Sequence, residues 1–472
     1  MRVLFISNDL IAGNLAYLMV LEGCDVKLFI ESDQQRNNFD GLVPKTNNWE
    51  QELTWVGKNG LIVFDDVGYG AKQTELRALG YSVVGGSTLG DKLEINRQWS
   101  KEVMQAYGVT TLPTFDFSSI DAAITFLNQE YGPWVIKQNG HASKSINFVG
   151  HFEDNRDTLS VLLNYQNLYG NEMSGCITLQ KKVSGVEIGI GRFFNGKDWV
   201  GPIELNVEHK RMFPGDLGPA TGEMGTIAWY EDDENQPLFQ QTIAKMRPFL
   251  QKIDFRGDFD IGCIVNEYGV YALEATSRFG SPIDHLHSEL HHSPWSELLK
   301  AIADGQPYHL QWKRGMGIVI SVAVPPFPYT TKLNEMSSYD IDIFFDDTLT
   351  SEDMKHIHFE EVSIREKSGG GIQHFISDHR GYVLYVTAVE DNIFLARDSA
   401  HDLLRRIHIP KMFYRNDIGL KFASVELPLL RKWGYLCTPI PQSEMHFSAT
   451  NKDRCQSQTY AMQFENIEKY AA

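Results

Sequence analysis

Strand, helix and strand follow one another within the first thirty residues of this chain. Residues 2–6 read as a buried strand, Leu10 to Leu21 carry apolar side chains at helical spacing, and Asp25–Ile30 is a second apolar strand. Two parallel strands need a crossover of about this length, so the unit commits the chain to a parallel sheet. Leu61–Phe64 and Tyr81–Gly85 extend it. At 472 residues the chain is too long for one core, and about three domains or subdomains are expected.

Further along, residues 94–107 have a helical pattern that ends at Gly108, with Pro113 shortly after. Trp134 to Phe148 reads as two short strands around a polar turn, and Cys176–Gln180 and Val186–Phe194 as further strands. Residues 259–265 and 270–275 are expected to pair as a hairpin across Asn266–Gly269. After Pro307 a new αβ section has strands at 318–324 and 381–387 and a helix at 393–406. The tail from about residue 438 is polar and aperiodic.

A formal net charge of −18 argues against a surface that coats nucleic acid, while leaving room for a small anion in a local basic pocket. The five cysteines, Cys24, Cys176, Cys263, Cys437 and Cys455, are scattered and contain no CxxC, as expected of reduced thiols. The apolar stretch Val3–Ile6 is too short for a secretory signal, and no apolar run approaches a membrane span. A soluble cytoplasmic protein, with no nucleic-acid or membrane partner, is the expectation.

The segment from Glu208 to Gly225 sets four glycines and two prolines among basic and acidic side chains, with no helical or strand period. Such a loop costs ordering entropy without filling a core, so it reads as functional. GxxxxGK[ST] is absent, which sets aside a P-loop enzyme. Binding a nucleoside triphosphate without one takes separated cations for the phosphates and hard oxygen ligands for a divalent metal. Lys137 ends the strand Trp134–Lys137, an awkward place for a merely solvated lysine. Glu187 sits on a strand of small and apolar residues, where strict alternation allows it to face in or out. Asp260 and Glu274 can converge across the hairpin as metal ligands. His287 and His291 lie four apart on a helix, and a solvated polar face is favoured over a zinc site.

The Glu208–Gly225 segment closely resembles the "DHKR…GDxGPxTGGMG" loop of the phosphoribosylamine–glycine ligases, which are ATP-grasp enzymes. Thr111–Thr114 after Lys101 is similar to "K-x-F…GIPT", Trp134–Lys137 to "VIK", and Leu179–Glu187 to "vEexlxGxE". Leu273–Pro282 resembles "LExNxRFGDPE", Asp378–Ala388 resembles "GGRVLxVTA", and Met412–Gly419 resembles "hYRxDIG". The resemblance covers about residues 95–420. It implies an α/β, ATP-grasp fold: a parallel α/β domain at 1–93, an ATP-grasp domain at 94–304 with a lid at about 108–182, a small α/β domain at 305–437 and a polar tail at 438–472. It also implies an ATP-dependent carboxylate–amine ligase, as monomer or homodimer, that works through an acyl phosphate with ATP and Mg2+ or Mn2+.

Residue by residue, the resemblance assigns Lys101, Lys137, Lys144, Gln180, Val183 and Glu187 to ATP, and Asp260, Glu274 and Thr276 to the metal. Lys210 and Arg278 become catalytic, and Asp216, Thr221, Gly222 and Asn14 bind the amino-acid and amine substrates. Several positions depart from the pattern. Gln180 replaces a Glu, Thr276 an Asn, and Ser281 and Ile283 an Asp and a Glu. The flap Gly140–Ser145 is poor in glycine. Ser7–Leu15 lacks the "GxGGREHAL" amides that cradle a ribose phosphate, although a helix N-terminus remains there. Asp65–Gly70 stands for "GPExPL", and two aspartates repel a phosphate. The carboxylate partner is expected to be glycine or another small amino acid, with an unidentified amine beside it. A genuine purine-pathway ligase and a non-catalytic ATP-binding regulator are the alternatives.

Overall fold

A computed structural model describes residues 1–138, 147–170, 177–329, 337–367 and 369–436. The flap lysine Lys144, the thiols Cys176, Cys437 and Cys455, and the polar tail lie outside the described residues.

The first sheet is parallel, as expected. Strands β1 (Arg2–Ser7), β2 (Asp25–Ile30), β3 (Leu61–Phe64) and β4 (Val83–Val84) run in the order β2-β1-β3-β4. Helices α1 (Gly13–Leu21), α2 (Leu53–Val56) and α3 (Gly70–Ala78) connect them. β1 and β3 are buried along almost their whole length, which explains their continuous apolar runs.

The helix expected at 94–107 is two helices. α4 (Thr88–Ile95) and α5 (Arg97–Ala106) break at Asn96, whose side chain caps α5 by accepting from the Trp99 N–H at 2.9 Å. An Asn inside an apparent helix competes for backbone donors, and here it wins. A small antiparallel sheet follows, in the order β5-β8-β6-β7: β5 (Thr114–Phe117), β6 (Trp134–Gln138), β7 (Phe148–Val149) and β8 (Ile177–Lys181). Its apolar face is covered by α6 (Ile120–Leu127) and α7 (Arg156–Tyr169).

The centre of the molecule is an eight-stranded sheet. Its first strands in sequence are β9 (Val186–Asn195) and β10 (Trp199–Glu208). A two-stranded hairpin, β11 (Arg211–Phe213) with β12 (Leu217–Ala220), then precedes β13 (Gly225–Glu231). Helices α8 (Pro237–Gln241) and α9 (Ile243–Lys252) lead to β14 (Arg256–Asn266) and β15 (Gly269–Thr276). After α10 (Ile283–Leu290) and α11 (Trp295–Ala303) come β16 (Met316–Ala323), β17 (Asp342–Phe345), β18 (Ile357–Phe359), β19 (Val362–Glu366), β20 (Ile372–Ile376) and β21 (Tyr382–Glu390). The large sheet reads β15-β14-β9-β10-β13-β16-β21-β18, while β17, β19 and β20 build a separate edge sheet with β22 (Ile407–His408). Helix α12 (Ile393–Leu404) packs on β16 and β21, and α13 (Leu427–Lys432) closes the described chain.

The glycine-rich segment is therefore no open loop. Positive φ at Gly215 and Asp216 turns the chain between β11 and β12. The sequence period is missing because the strands are short and their register shifts between Arg211 and Phe213.

Candidate functional site

Four adjacent strands of the central sheet bring charged side chains onto one face. On β14, Asp260 and Gly262 lie opposite Thr276 and Glu274 of β15, so all four share a face. On the other side, β9 pairs Gly189 with Gly262 and Gly191 with Asp260, and β10 adds Asn206 opposite Gly189 and Glu204 opposite Gly191. The glycines of β9 make room for the acids. A Cβ at Gly191 would approach Glu204 Oε2 to 2.6 Å, and one at Gly189 would collide with the Asn206 amide. The result is a cleft lined by Glu187, Asn206, Glu208, Lys210, Asp260, Glu274 and Thr276, among others. Glu187 thus lies on the cleft side, one of the two faces its alternation allowed.

Cations converge on Glu274 from four places. Arg97, at the start of α5, pairs with Glu274 at 2.7 Å. Lys101, one turn later, is buried and bonds the Thr114 hydroxyl. Burial, then Lys137 and Arg97, pull its ammonium down to about 7. Lys137 on β6 is lowered chiefly by burial, with Glu274 opposing. Lys210 bridges Glu187 at 2.8 Å and Glu208 at 2.7 Å. Those carboxylates and Glu274 outweigh its burial and hold it charged.

The acids at the back of the cleft lack such partners. Burial, then Glu208 and Asp258, push Asp260 well above the carboxylate range. Burial and Asp260 do the same to Glu204. Glu204 Oε1 and Asn206 Oδ1 are buried without a hydrogen-bond partner. These oxygens fit a hard divalent cation, which would relieve the repulsion. Among the described residues no three His, Cys, Asp or Glu groups form a complete metal cage.

Gln180 is buried on β8 with its Nε2 unpartnered, and Val183 is half-buried just after that strand. Arg278, beyond β15, is held by Glu94 at 3.1 Å and Asp66 at 4.0 Å, and donates to the Phe279 carbonyl. It borders a second cleft, formed by Phe64, Asp66, Gly85, Gly86, Asp258 and Ser277 at the carboxyl ends of β3 and β4.

The structure gives partners to the assigned substrate residues Asn14, Asp216, Thr221 and Gly222, and it corrects the reading of the histidine pair. The Asn14 amide is engaged by His358 Nδ1 at 3.1 Å and the Phe359 N–H at 3.1 Å. Asp216 faces the C-terminal section, between Arg415 at 3.1 Å and Lys421 at 3.3 Å. Thr221 spends its hydroxyl and its N–H on the Lys210 carbonyl, and Gly222 is needed because any side chain would strike the Tyr382 hydroxyl. His287 and His291 are buried, not solvated, and both meet the Tyr230 hydroxyl beside Trp295.

Sequence reasoning missed Arg97, Glu94, Glu204 and Asn206. Arg97 was legible in one respect, since it precedes Lys101 by four and shares its helix face.

The resemblance extends to known proteins. Residues 95–283 match the family model described as phosphoribosylglycinamide synthetase, ATP-grasp (A) domain. The phosphoribosylamine–glycine ligase of Streptococcus pyogenes serotype M1 is 26% identical over 422 residues, covering 85% of this chain and 90% of the relative. Among solved structures, phosphoribosylamine–glycine ligase from Thermotoga maritima superposes with a TM-score of 0.64 at 18% identity, covering 89% of this chain and all of that one. The biotin carboxylase domain of Hydrogenobacter thermophilus 2-oxoglutarate carboxylase, solved with MgADP, ADP and bicarbonate, gives 0.60 at 12% identity, covering 94% and 99%. The fold is ATP-grasp. Among the described residues no helix is long and apolar enough to cross a membrane.

Proposed function

We propose that this chain, an ATP-grasp ligase related to the phosphoribosylamine–glycine ligases, joins a small carboxylate to an amine. In the first step a carboxylate oxygen attacks the γ-phosphorus of ATP, ADP leaves, and an acyl phosphate forms. In the second, an amine nitrogen takes the carbonyl carbon and phosphate leaves. Neither step needs a protein nucleophile, so positioning and charge carry the catalysis.

The convergence of Arg97, Lys101, Lys137 and Lys210 around Glu274, next to Asp260, supports this reading best. Under it, Lys101 and Lys137 grip the phosphates, and Gln180 and Val183 lie along the base. Lys210 faces the transferred group, with Glu187 fixing its position. Asp260 and Glu274, with the Thr276 hydroxyl, would hold Mg2+ or Mn2+, which would supply neutralisation of the nucleotide's negative charge. Arg278 is placed to stabilise the acyl phosphate from the side of the second cleft. Thr221 acts through Lys210 by holding its carbonyl.

The division into domains at 1–93, 94–304 and 305–437 belongs to the same reading. So do a cytoplasmic setting and a monomer or homodimer. Glycine or another small amino acid is the carboxylate.

The test is release of ADP and phosphate that depends on both an added amino acid and an added amine. ATP binding without turnover under every pairing would favour a regulator. Rescue of a purine auxotroph lacking the phosphoribosylamine–glycine ligase would favour the purine-pathway substrate.

A further inference from the structure

In an open α/β sheet, ligands bind beyond the carboxyl ends of the strands. Here that place lies between β1 and β3, the start of α10 and the segment that follows β18. Its walls are joined by contacts. The Ala12 N–H and the Ser7 hydroxyl donate to Asp65 Oδ2 at 2.9 Å and 2.8 Å. Asn14, two residues on, bonds His358, and His358 stacks on His285 with centroids 5.0 Å apart. Asp284 precedes His285, and Glu360 follows His358 by two residues.

Three carboxylates in this place are only partly balanced: Arg380 acts on Glu360, and His285 Nδ1 lies 3.5 Å from Asp284. Asp65, Asp284 and Glu360 are 0%, 2% and 6% exposed, and each has one buried oxygen with no hydrogen-bond partner. The two arginines nearby pair chiefly with other acids, although Arg380 Nη2 is itself buried without a hydrogen-bond partner. Arg278 meets Glu94 and Asp66, and Arg380 meets Glu361 at 3.0 Å and Asp378 at 3.5 Å. After burial, Asp65 and Asp258 push Asp284 up. After burial, and against the pull of Arg380, Asp284, Glu361 and Asp65 push Glu360 up. Buried carboxylates without partners are costly unless a ligand supplies the charge. A phosphate there would add to the repulsion, whereas an ammonium would remove it.

We propose that the place beyond the carboxyl ends of β1 and β3, bordered by Asp65, Asp284 and Glu360 beside the Arg278 cleft, is the second-substrate site and receives an unphosphorylated amine that enters as a cation. An aliphatic diamine is the simplest member of that class, since one nitrogen can remain charged on the carboxylates while the other reacts. The proposal rests on the ligase reading for the identity of the neighbouring nucleotide site. It departs from a phosphorylated sugar amine.

Calorimetry on the full chain saturated with MgADP separates the possibilities. The probes are 1,3-diaminopropane, putrescine and 2-aminoethyl phosphate. At least one diamine is expected to bind ten-fold or more tightly than 2-aminoethyl phosphate. Glu360→Gln and Asp284→Asn should each weaken that diamine at least ten-fold while leaving MgADP affinity within two-fold. Equal or tighter binding of 2-aminoethyl phosphate by the unaltered protein overturns the proposal, as does no diamine binding, and neither depends on a variant folding. Full diamine affinity in both variants also overturns it. MgADP binding without diamine binding sinks this inference alone, whereas no affinity for MgADP sinks the ligase reading with it.

Discussion

Replacing Asp65 by Asn should make the ligand-free protein more stable at neutral pH and leave it nearly unchanged in acid. The Asp65 carboxyl is fully buried. Burial first, and then the Asp66 charge, raise it from 3.8 to about 7, against the opposing bonds from Ala12 and Ser7. A folded-state value above the unfolded one means that the native protein holds its proton more tightly. Stability from this group is therefore fully present below about pH 4 and is lost as pH rises to about 7, a loss on the order of 4 kcal/mol. An Asn keeps an oxygen for the Ser7 and Ala12 donors and carries no charge. Its amide nitrogen replaces an oxygen that has no partner, which gives back about 1–2 kcal/mol. The net gain at pH 7.5 is then roughly 2–3 kcal/mol.

Thermal melting at pH 4.5 and pH 7.5 reads this difference, and its size also reports the cooperative unit. If all 472 residues melt together, the unfolding entropy is about 1 kcal/mol/K and the shift about 2–3 °C. If the first sheet and its helices melt alone, about 90 residues, the same energy moves the midpoint by roughly 10–15 °C. The variant's advantage must grow between the two pH values. An advantage equal at both, or a variant less stable at pH 7.5, would refute the reasoning.

Glu274→Gln should weaken magnesium-dependent ADP binding by at least about ten-fold, measured by calorimetry with and without the metal. Arg278→Ala should lower turnover by about 10²–10³, and ADP release at near-normal rate would reject its assigned role. Lys101, held at about 7 by its surroundings, should take up a proton when phosphates arrive, so nucleotide binding strengthens as pH falls through 7. Calorimetry in two buffers of different ionisation enthalpy detects that proton, and Lys101→Met should abolish it. Arg415→Ala leaves Asp216 and Asp417 without their common partner and should cost about 3–5 kcal/mol, seen as faster hydrogen exchange across residues 211–220.

The first sheet was legible because its strands are short apolar runs separated by helical crossovers, a pattern that local sequence alone determines. The hairpin at 256–276 was legible for a similar reason, since a polar turn at Asn266–Gly269 sits between two apolar strands. Asn96 defeated the reading of 94–107 because capping depends on which backbone donors are left unpaired. The His287 pair defeated it differently. Spacing four apart fixes a common helix face, and says nothing of the Tyr230 hydroxyl that β13 brings to that face.

The site shows the same division. Lys137, Asp260 and Glu274 end or line strands whose apolar neighbours set their direction, so their convergence followed from alternation. Glu204 and Asn206 could not be found this way, because they reach the cleft only through the order β14-β9-β10, which joins strands far apart in the chain. The pairing of Asp216 with Arg415 could not be found this way either, because the two lie 199 positions apart.

That long contact carries a further consequence. Arg415 donates to both oxygens of Asp417 and to the Arg211 carbonyl, Asp417 accepts from the Gly215 N–H at 2.8 Å, and the Gly419 N–H donates to His209 Nε2 at 3.2 Å. Burial and the Arg415 charge lower His209 to about 4, so it remains a neutral acceptor at physiological pH. The two motifs that most strongly resemble known ligases are thus halves of one clamp, and the residue between His209 and Arg211 is Lys210. Holding those neighbours fixes the backbone that aims Lys210 between Glu187 and Glu208. The side of the molecule proposed to grip a triphosphate is in this way braced by the C-terminal section. The departures from the ligase pattern at Ser7–Leu15 and Asp65–Gly70 gather around the other cleft. A chain altered on that side alone would keep its chemistry and change the amine it accepts.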